Sequence, residues 1–379
     1  MMSYEKTVFD AWLATAELPY DELIPLLHQM NGSGKIYEAI TERRERLPVR
    51  ISDEARKRLS LEGTPERMEW MRKKLAEHEI LSMTILDTEY PDPLRKIPDP
   101  PGILFYQGEP RLLKKEKRIS MVGSRAASYS GLTASKQIAA ELSRNGVTII
   151  SGLAYGIDTA CHEGCLAGGS PTIGVMGCGL EQPYPSRNEP LKKEILRHGG
   201  MLISEYPPGV KAIGYHFPYR NRIISGLSDV VILMEAKIRS GSMTTIDHAL
   251  RQGKEIYAYP GDPTSPLTEG NRSLLRDGAR YFSTASDILT DMNWLDNTPL
   301  VRQNIGCSSG FVPENASEEA VYGALVKGTL GFDEIIQMTG LPPSVLMGTL
   351  TILQIKKAID LLPGKKYQIR KDTTFEKEL

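Results

Sequence analysis

The sequence predicts an α/β protein: a doubly wound parallel sheet in the middle of the chain, a helical segment before it, and a small helix-and-hairpin unit after it. Three observations carry this. Between Arg118 and Phe282, short apolar runs alternate with segments of helical period. Most of those runs are continuous rather than alternating, as expected for parallel strands buried on both faces. The glycine-, serine- and arginine-rich stretches fall where the runs end, and open α/β sheets bind ligands beyond the carboxyl ends of their strands.

In order, residues 1–87 read as helical, with Val8, Trp12, Leu13, Leu23, Leu26 and Leu27 at helical spacing. Two mixed-charge segments follow, Tyr37–Arg46 and Pro65–His78, the second capped by Thr64 with Pro65 at its first position. The proline-rich stretch Leu86–Gly108 is a connector, ending in a strand at Ile103–Tyr106. The sheet strands are then Ile119–Val122, Val147–Ser151, Thr172–Met176, Met201–Glu205, Asp229–Glu235 and Glu255–Tyr259, closing a Rossmann-like domain over 88–295. Residues 296–315 read as a linker. Residues 316–372 form the last unit, with helices Glu318–Lys327, Phe332–Thr339 and Ser344–Ile355 and a hairpin, Ala358–Leu361 with Tyr367–Arg370. Helix, turn, helix and wing make it winged-helix-like.

Composition narrows the function classes. The formal net charge is −1 and the isoelectric point about 6.6, so any nucleic-acid site is a local patch. Four cysteines are too few for a disulfide framework and fit a reducing cytoplasm. Neither a signal-peptide core nor a membrane-spanning run is present, so no membrane span is expected.

The stretch from Arg118 to Gly131 opens as a strand, breaks at Gly123-Ser124-Arg125 and restarts as a helix. Free N–H groups at such a helix start, with the helix dipole, attract anions, and Arg125 adds a forked cation suited to phosphate. Ser151-Gly-Leu-Ala-Tyr-Gly-Ile-Asp158 follows the next strand, where Asp158 either caps a helix or orients a cation. After the third strand come Tyr184 and the cation Arg187. The densest cluster is His216-Phe-Pro-Tyr-Arg-Asn-Arg222, cations and aromatic faces together, as single-stranded nucleic acid requires. Arginines so placed either bind phosphate or brace loops through carbonyls and carboxylates. Ser240-Gly-Ser-Met-Thr-Thr245 supplies hydroxyls and N–H groups as a second anion nest. Cys161, His162, Cys165 and Cys178 lack structural-zinc spacing. No dinucleotide, Walker A or nucleophile-elbow motif stands in the right context.

Taken in order, VGSR, SGLAYGID, GCGL with YPSRN, SEYPPG, FPYRNRIISGLSD, EA with SGSMTT, and AYPGD resemble the DNA-processing protein A family (DprA, also called Smf) over about residues 90–282. The resemblance implies a helical SAM-like domain at 1–87, in which Glu17–Glu22 replaces the family's glycine-rich hairpin, and a winged-helix tail. It implies a non-enzymatic homodimer without cofactor that binds and protects single-stranded DNA and loads the recombinase RecA during natural transformation. DNA contacts carry over to Gly123, Ser124 and Arg125, to Phe217, Arg220, Asn221 and Arg222, and to Arg187. Ser240 and Ser242 join them as the anion nest. Where some members carry a lysine three residues before the phenylalanine this chain has Gly214, with Lys211 nearby. The competing reading is a nucleoside-monophosphate phosphoribohydrolase on a related sheet. Its catalytic carboxylate would be Asp247, three residues after Thr244, on a loop lacking that family's glycines.

Overall fold

The structure is a computed structural model and describes residues 4–42, 47–294, 315–325, 328–356, 358–362 and 366–369. The chain divides into two compact units, Met1–Leu295 and Asp296–Leu379.

The first unit carries a nine-stranded sheet: β1 (Leu81–Thr84), β2 (Ile103–Gly108), β3 (Arg118–Val122), β4 (Thr148–Ser151), β5 (Ile173–Met176), β6 (Met201–Ser204), β7 (Val230–Leu233), β8 (Glu255–Ala258) and β9 (Arg280–Tyr281). The strand order is β1-β2-β6-β5-β4-β3-β7-β8-β9. From β3 the chain winds outward through β4, β5 and β6, then crosses back to β7 on the other side. Strands β3 to β9 pair in parallel, while β1 and β2 add an antiparallel edge. The central strand β3 sets Ile119 opposite both Ile149 and Val230.

Helices cover both faces, which is why the strand runs are apolar throughout. On one face Ile119, Met121, Ile149, Val230 and Ile232 meet Ile138 and Leu142 of helix Tyr129–Arg144 and Cys161 and Cys165 of helix Ile157–Gly168. These two helices approach closely because Gly164 lacks a side chain: a Cβ there would stand 2.2 Å from the Lys136 carbonyl oxygen. On the other face Val122, Val231 and Leu233 meet Ile223, Ile224 and Leu227 of helix His216–Leu227 and Ile246 and Ala249 of helix Gly241–Arg251.

The helical region is built around Tyr4–Ala14, which buries Val8, Ala11, Trp12 and Leu13. Trp12 Nε1 donates to the Leu59 carbonyl at 2.8 Å. Thr64 caps helix Pro65–Glu77, its Oγ1 accepting from the Arg67 N–H. Leu81–Thr84, inside the stretch read as helical, is instead strand β1. Buried Asp10 accepts from Ser82 Oγ at 2.6 Å and the Ser82 N–H donates to Thr7, so this edge ties the helices to the sheet. Four residues after a long helical pattern carry too little periodicity to announce a strand.

The second unit holds helices Ala316–Leu325, Phe332–Thr339 and Pro343–Ile355 and a sheet of β10 (Leu330–Gly331), β11 (Ile359–Leu362) and β12 (Lys366–Ile369), in the order β10-β12-β11. Its core is Val321, Leu325, Ile335, Leu346, Leu350, Leu353 and Ile359. This is a winged-helix arrangement. The linker read at 296–315 lies outside the described residues except for Asn315, as do the hairpin turn at 363–365 and Arg370. Among the described residues no single helix is long and apolar enough to cross a membrane.

Candidate nucleic-acid interface

Beyond β3 the chain turns through Gly123, Ser124 and Arg125 at the point where the strand order reverses. Glu235, just past β7 and buried, holds this turn. Its carbonyl accepts from the Ser124 N–H at 2.7 Å, and its carboxylate accepts from both the N–H and the hydroxyl of Ser128. Gly156 makes the close approach possible: its φ is +79°, and a Cβ would stand 2.3 Å from the Ser124 carbonyl oxygen. The Arg125 backbone is therefore fixed, while its side chain is exposed and makes no ion pair among the described residues.

Phe217 opens helix His216–Leu227 and faces that arginine. The Arg125 Cζ lies 5.4 Å from the ring centroid, and Tyr184 stands 5.2 Å away at 34°. Gly177 leaves room for the ring, since a Cβ there would be 3.0 Å from Phe217 Cδ1. Around these residues runs a groove of about 710 Å³, walled by Gly123, Ser124 and Arg125 on one side and by Ser240, Gly241 and Ser242 on the other. Ser240 caps helix Gly241–Arg251, its hydroxyl accepting from the Ser242 N–H at 3.3 Å.

The clustered HFPYRNR residues divide their roles. Arg220 is 3% exposed and donates to the carbonyls of Gly152, at 3.0 Å, and Val175. It lines the groove floor as a brace that brings positive charge close to the surface. Burial lowers its pKa to about 10, opposed by Asp158. Asp158 does not cap its own helix; Oδ2 accepts from the N–H groups of Gly152 at 3.1 Å and Ala154 at 3.3 Å. Burial pushes its carboxyl up to about 6 against the pull of Arg220. Asn221 bonds Thr244 Oγ1 at 2.7 Å and steadies the start of the neighbouring helix.

Arg222 is not brought into the groove. It is 2% exposed, donates to Glu205 at 2.6 Å and to the Asp99 carbonyl at 2.9 Å, and stacks 3.8 Å from the Tyr219 ring. Burial works against its charge, but Glu205, Tyr219 and Asp99 hold its pKa above the usual arginine range. One helical step of about 100° per residue separates Arg220 from Asn221 and again from Arg222, so the two arginines leave the helix in different directions. Arg187 and Lys211 are exposed and do not line the groove, although Lys211 directly precedes the lining residue Ala212.

Two cations escaped the sequence reading. Lys237 and Arg239 are exposed and line the groove on the loop after β7. Their signal was available: they stand between Glu235 and the Ser240 nest. Among the described residues no group of three or more His, Cys, Asp or Glu side chains could hold a metal ion. Cys165 and Cys178 are core residues whose thiols burial pushes up to about 11.

Fold and site together define a Rossmann-like protein with a cation-bearing, aromatic-lined groove at its topological switch point and a winged helix attached. The chain belongs to the DNA recombination-mediator protein A family, whose model matches residues 82–293; a DprA winged helix domain model matches 312–365. The DNA processing protein DprA of Streptococcus pneumoniae is 41% identical over 213 residues, 56% of this chain and 74% of that protein. Protein Smf of Escherichia coli is 34% identical, with 74% and 75% of the two chains covered. The solved S. pneumoniae DprA structure matches with a TM-score of 0.63 at 32% identity, covering 77% of this chain and 99% of that one. The Helicobacter pylori protein, described for its single-stranded DNA binding mode, matches with a TM-score of 0.51 at 29% identity, covering 56% and 95%.

Proposed function

We propose that this protein binds single-stranded DNA in the groove between the ends of β3 and β7 and acts as a recombination mediator. The observation that carries the reading is the gathering of exposed Arg125, Lys237 and Arg239 around the aromatic pair Phe217 and Tyr184. Cations neutralise phosphates, and π-faces take splayed bases of any identity. A duplex keeps its bases stacked inside, so the groove favours single strands. The relationship to the H. pylori protein supports the same reading. On the family resemblance alone, we extend it to a cytoplasmic homodimer that protects incoming DNA and loads RecA during natural transformation, without a cofactor. Fluorescence anisotropy with single-stranded and duplex oligonucleotides tests the core of this: single strands should bind more tightly at physiological salt, and equal affinity would overturn it. RecA assembly on protein-coated single strands tests the mediator step.

The phosphoribohydrolase reading is disfavoured by one residue. Asp247 lines a different cleft, so its carboxylate is not presented to the groove beside Ser240 and Thr245. Incubation with AMP-type nucleotides should release no base.

A further inference from the structure

We infer that a bound single strand does not end in the groove but crosses Pro218 into a second, nearly neutral cleft, where its bases stack on Tyr215 and Tyr219. This rests on the single-strand reading of the groove.

The cleft lies between the helical region and the sheet and encloses about 1060 Å³, more than the groove's 710 Å³. The two hollows are neighbours, since Pro218 lines both. Helix Gly241–Arg251 turns Ser242 and Thr245 to the groove and Thr244 and His248 to the cleft. The loop before Phe217 is the ridge between them, with Val210 on the cleft side, Ala212 and Gly214 on the groove side, and exposed Lys211 between.

Tyr215 is 66% exposed and Tyr219 43% exposed, so neither ring is used up by core burial. Both are held in place. Tyr215 stands edge-on to His216 at 4.5 Å, and Arg222 supports the Tyr219 ring at 3.8 Å. Oriented, exposed aromatic rings are stacking platforms for bases.

The charges select bases over phosphates. Three acids in the cleft are already paired: Glu17 with Arg58 at 2.7 Å, Glu62 with Arg67 at 2.7 Å and Glu205 with Arg222 at 2.6 Å. The remaining lining charges, Asp247 and Arg251, cancel in the sum. A neutral aromatic cleft suits bases, while Lys211 on the ridge meets the crossing phosphate. Continuity with the groove selects a polymer over a free base, and it gives the helical region, which supplies the opposite wall through Leu13, Leu18 and Leu23, a share in binding.

The test compares oligothymidylates of about 6 and about 20 nucleotides by anisotropy, with 2-aminopurine placed beyond the groove-bound stretch. Wild type should gain affinity with length beyond the statistical factor, keep that gain at raised salt, and quench the probe. Tyr215→Ala/Tyr219→Ala should lose about tenfold on the long strand, leave the short one within about twofold, and abolish quenching. Arg251→Glu, an exposed change that replaces the cation balancing Asp247 with a further carboxylate, should weaken the long strand alone and serves if the tyrosine variant misfolds. Equal losses on both lengths, or an unaffected long strand, would overturn the inference. Short-strand binding with no gain from length sinks this inference alone; a wild type that binds neither length sinks the groove reading with it.

Discussion

The guanidinium of Arg125 lies 5.4 Å from the centroid of the Phe217 ring, although one residue follows β3 and the other opens the helix after β6. The turn of β3 fixes the arginine backbone, and the phenylalanine fixes where its charge is offered. Arg125→Ala should weaken single-strand binding by about 1.5–3 kcal/mol, the worth of a charged hydrogen bond. Because the two side chains touch, the Arg125→Ala/Phe217→Ala double-mutant cycle should show coupling of about 0.5 kcal/mol or more. An unchanged affinity in a folded Arg125→Ala would remove this residue from the site.

Arg222 should behave in the opposite way. It is buried against Glu205 and Asp99, which are themselves half-buried, so Arg222→Ala leaves two partly shielded carboxylates without their cation. Breaking a fully buried pair costs about 3–5 kcal/mol of stability, and the partial exposure of these acids puts the cost at or below the lower end of that range. Thermal melting should therefore drop sharply, while the folded fraction keeps its affinity for a short oligonucleotide. Normal stability with lost short-strand binding would put Arg222 back in the groove.

Asp158 predicts a pH dependence. Its folded pKa of about 6 lies above the ordinary 3.8, so between those values the native state holds a proton that the unfolded chain has released. Its contribution to stability thus rises as pH falls through about 6 and is lost above it. Protonation also removes a negative charge beside Arg220 on the groove floor. Affinity for single strands should rise about two- to threefold between pH 7 and pH 5, the order expected for one charge some 8 Å from a phosphate in water. Asp158→Asn should flatten that profile; a wild-type profile already flat would show that Asp158 does not titrate there.

Salt should report the few cations at the strand ends. If three to four of Arg125, Arg187, Lys211, Lys237 and Arg239 meet phosphates, the slope of log K against log salt is about −2 to −3, at about −0.7 per contact on single strands. Stacking on Phe217 and Tyr184 leaves binding measurable at moderate ionic strength. A much steeper slope would demand a broad basic surface, and a flat one would make the arginines braces only.

Truncation after about Asn315 should leave most single-strand affinity intact. The tail is a separate compact unit with its own core. Its helix Pro343–Ile355 contains no lysine or arginine to hold phosphate. Loss of most affinity on truncation would assign DNA contacts to the tail.

The central parallel strands, both covered faces and the turn at Gly123–Arg125 could be read from the chain alone. Continuous apolar runs have one stable home, a sheet buried on both sides, and strand ends fall where glycine and serine interrupt those runs. The sequence also marked Phe217 and its neighbours as a cluster. It could not say which buried arginine reaches the groove floor. Arg220 and Arg222 have the same chemistry in one heptapeptide, and what separates them is distant in sequence: the Gly152 and Val175 carbonyls for one, Asp99 and Glu205 for the other. Tertiary structure likewise turned Leu81–Thr84 into an edge strand, through Asp10 and Thr7 of a remote helix, and set Lys237 and Arg239 along the groove. Local pattern fixes which face of an element is buried. Only the assembled fold decides which polar side chains find partners there and which are left to meet a ligand.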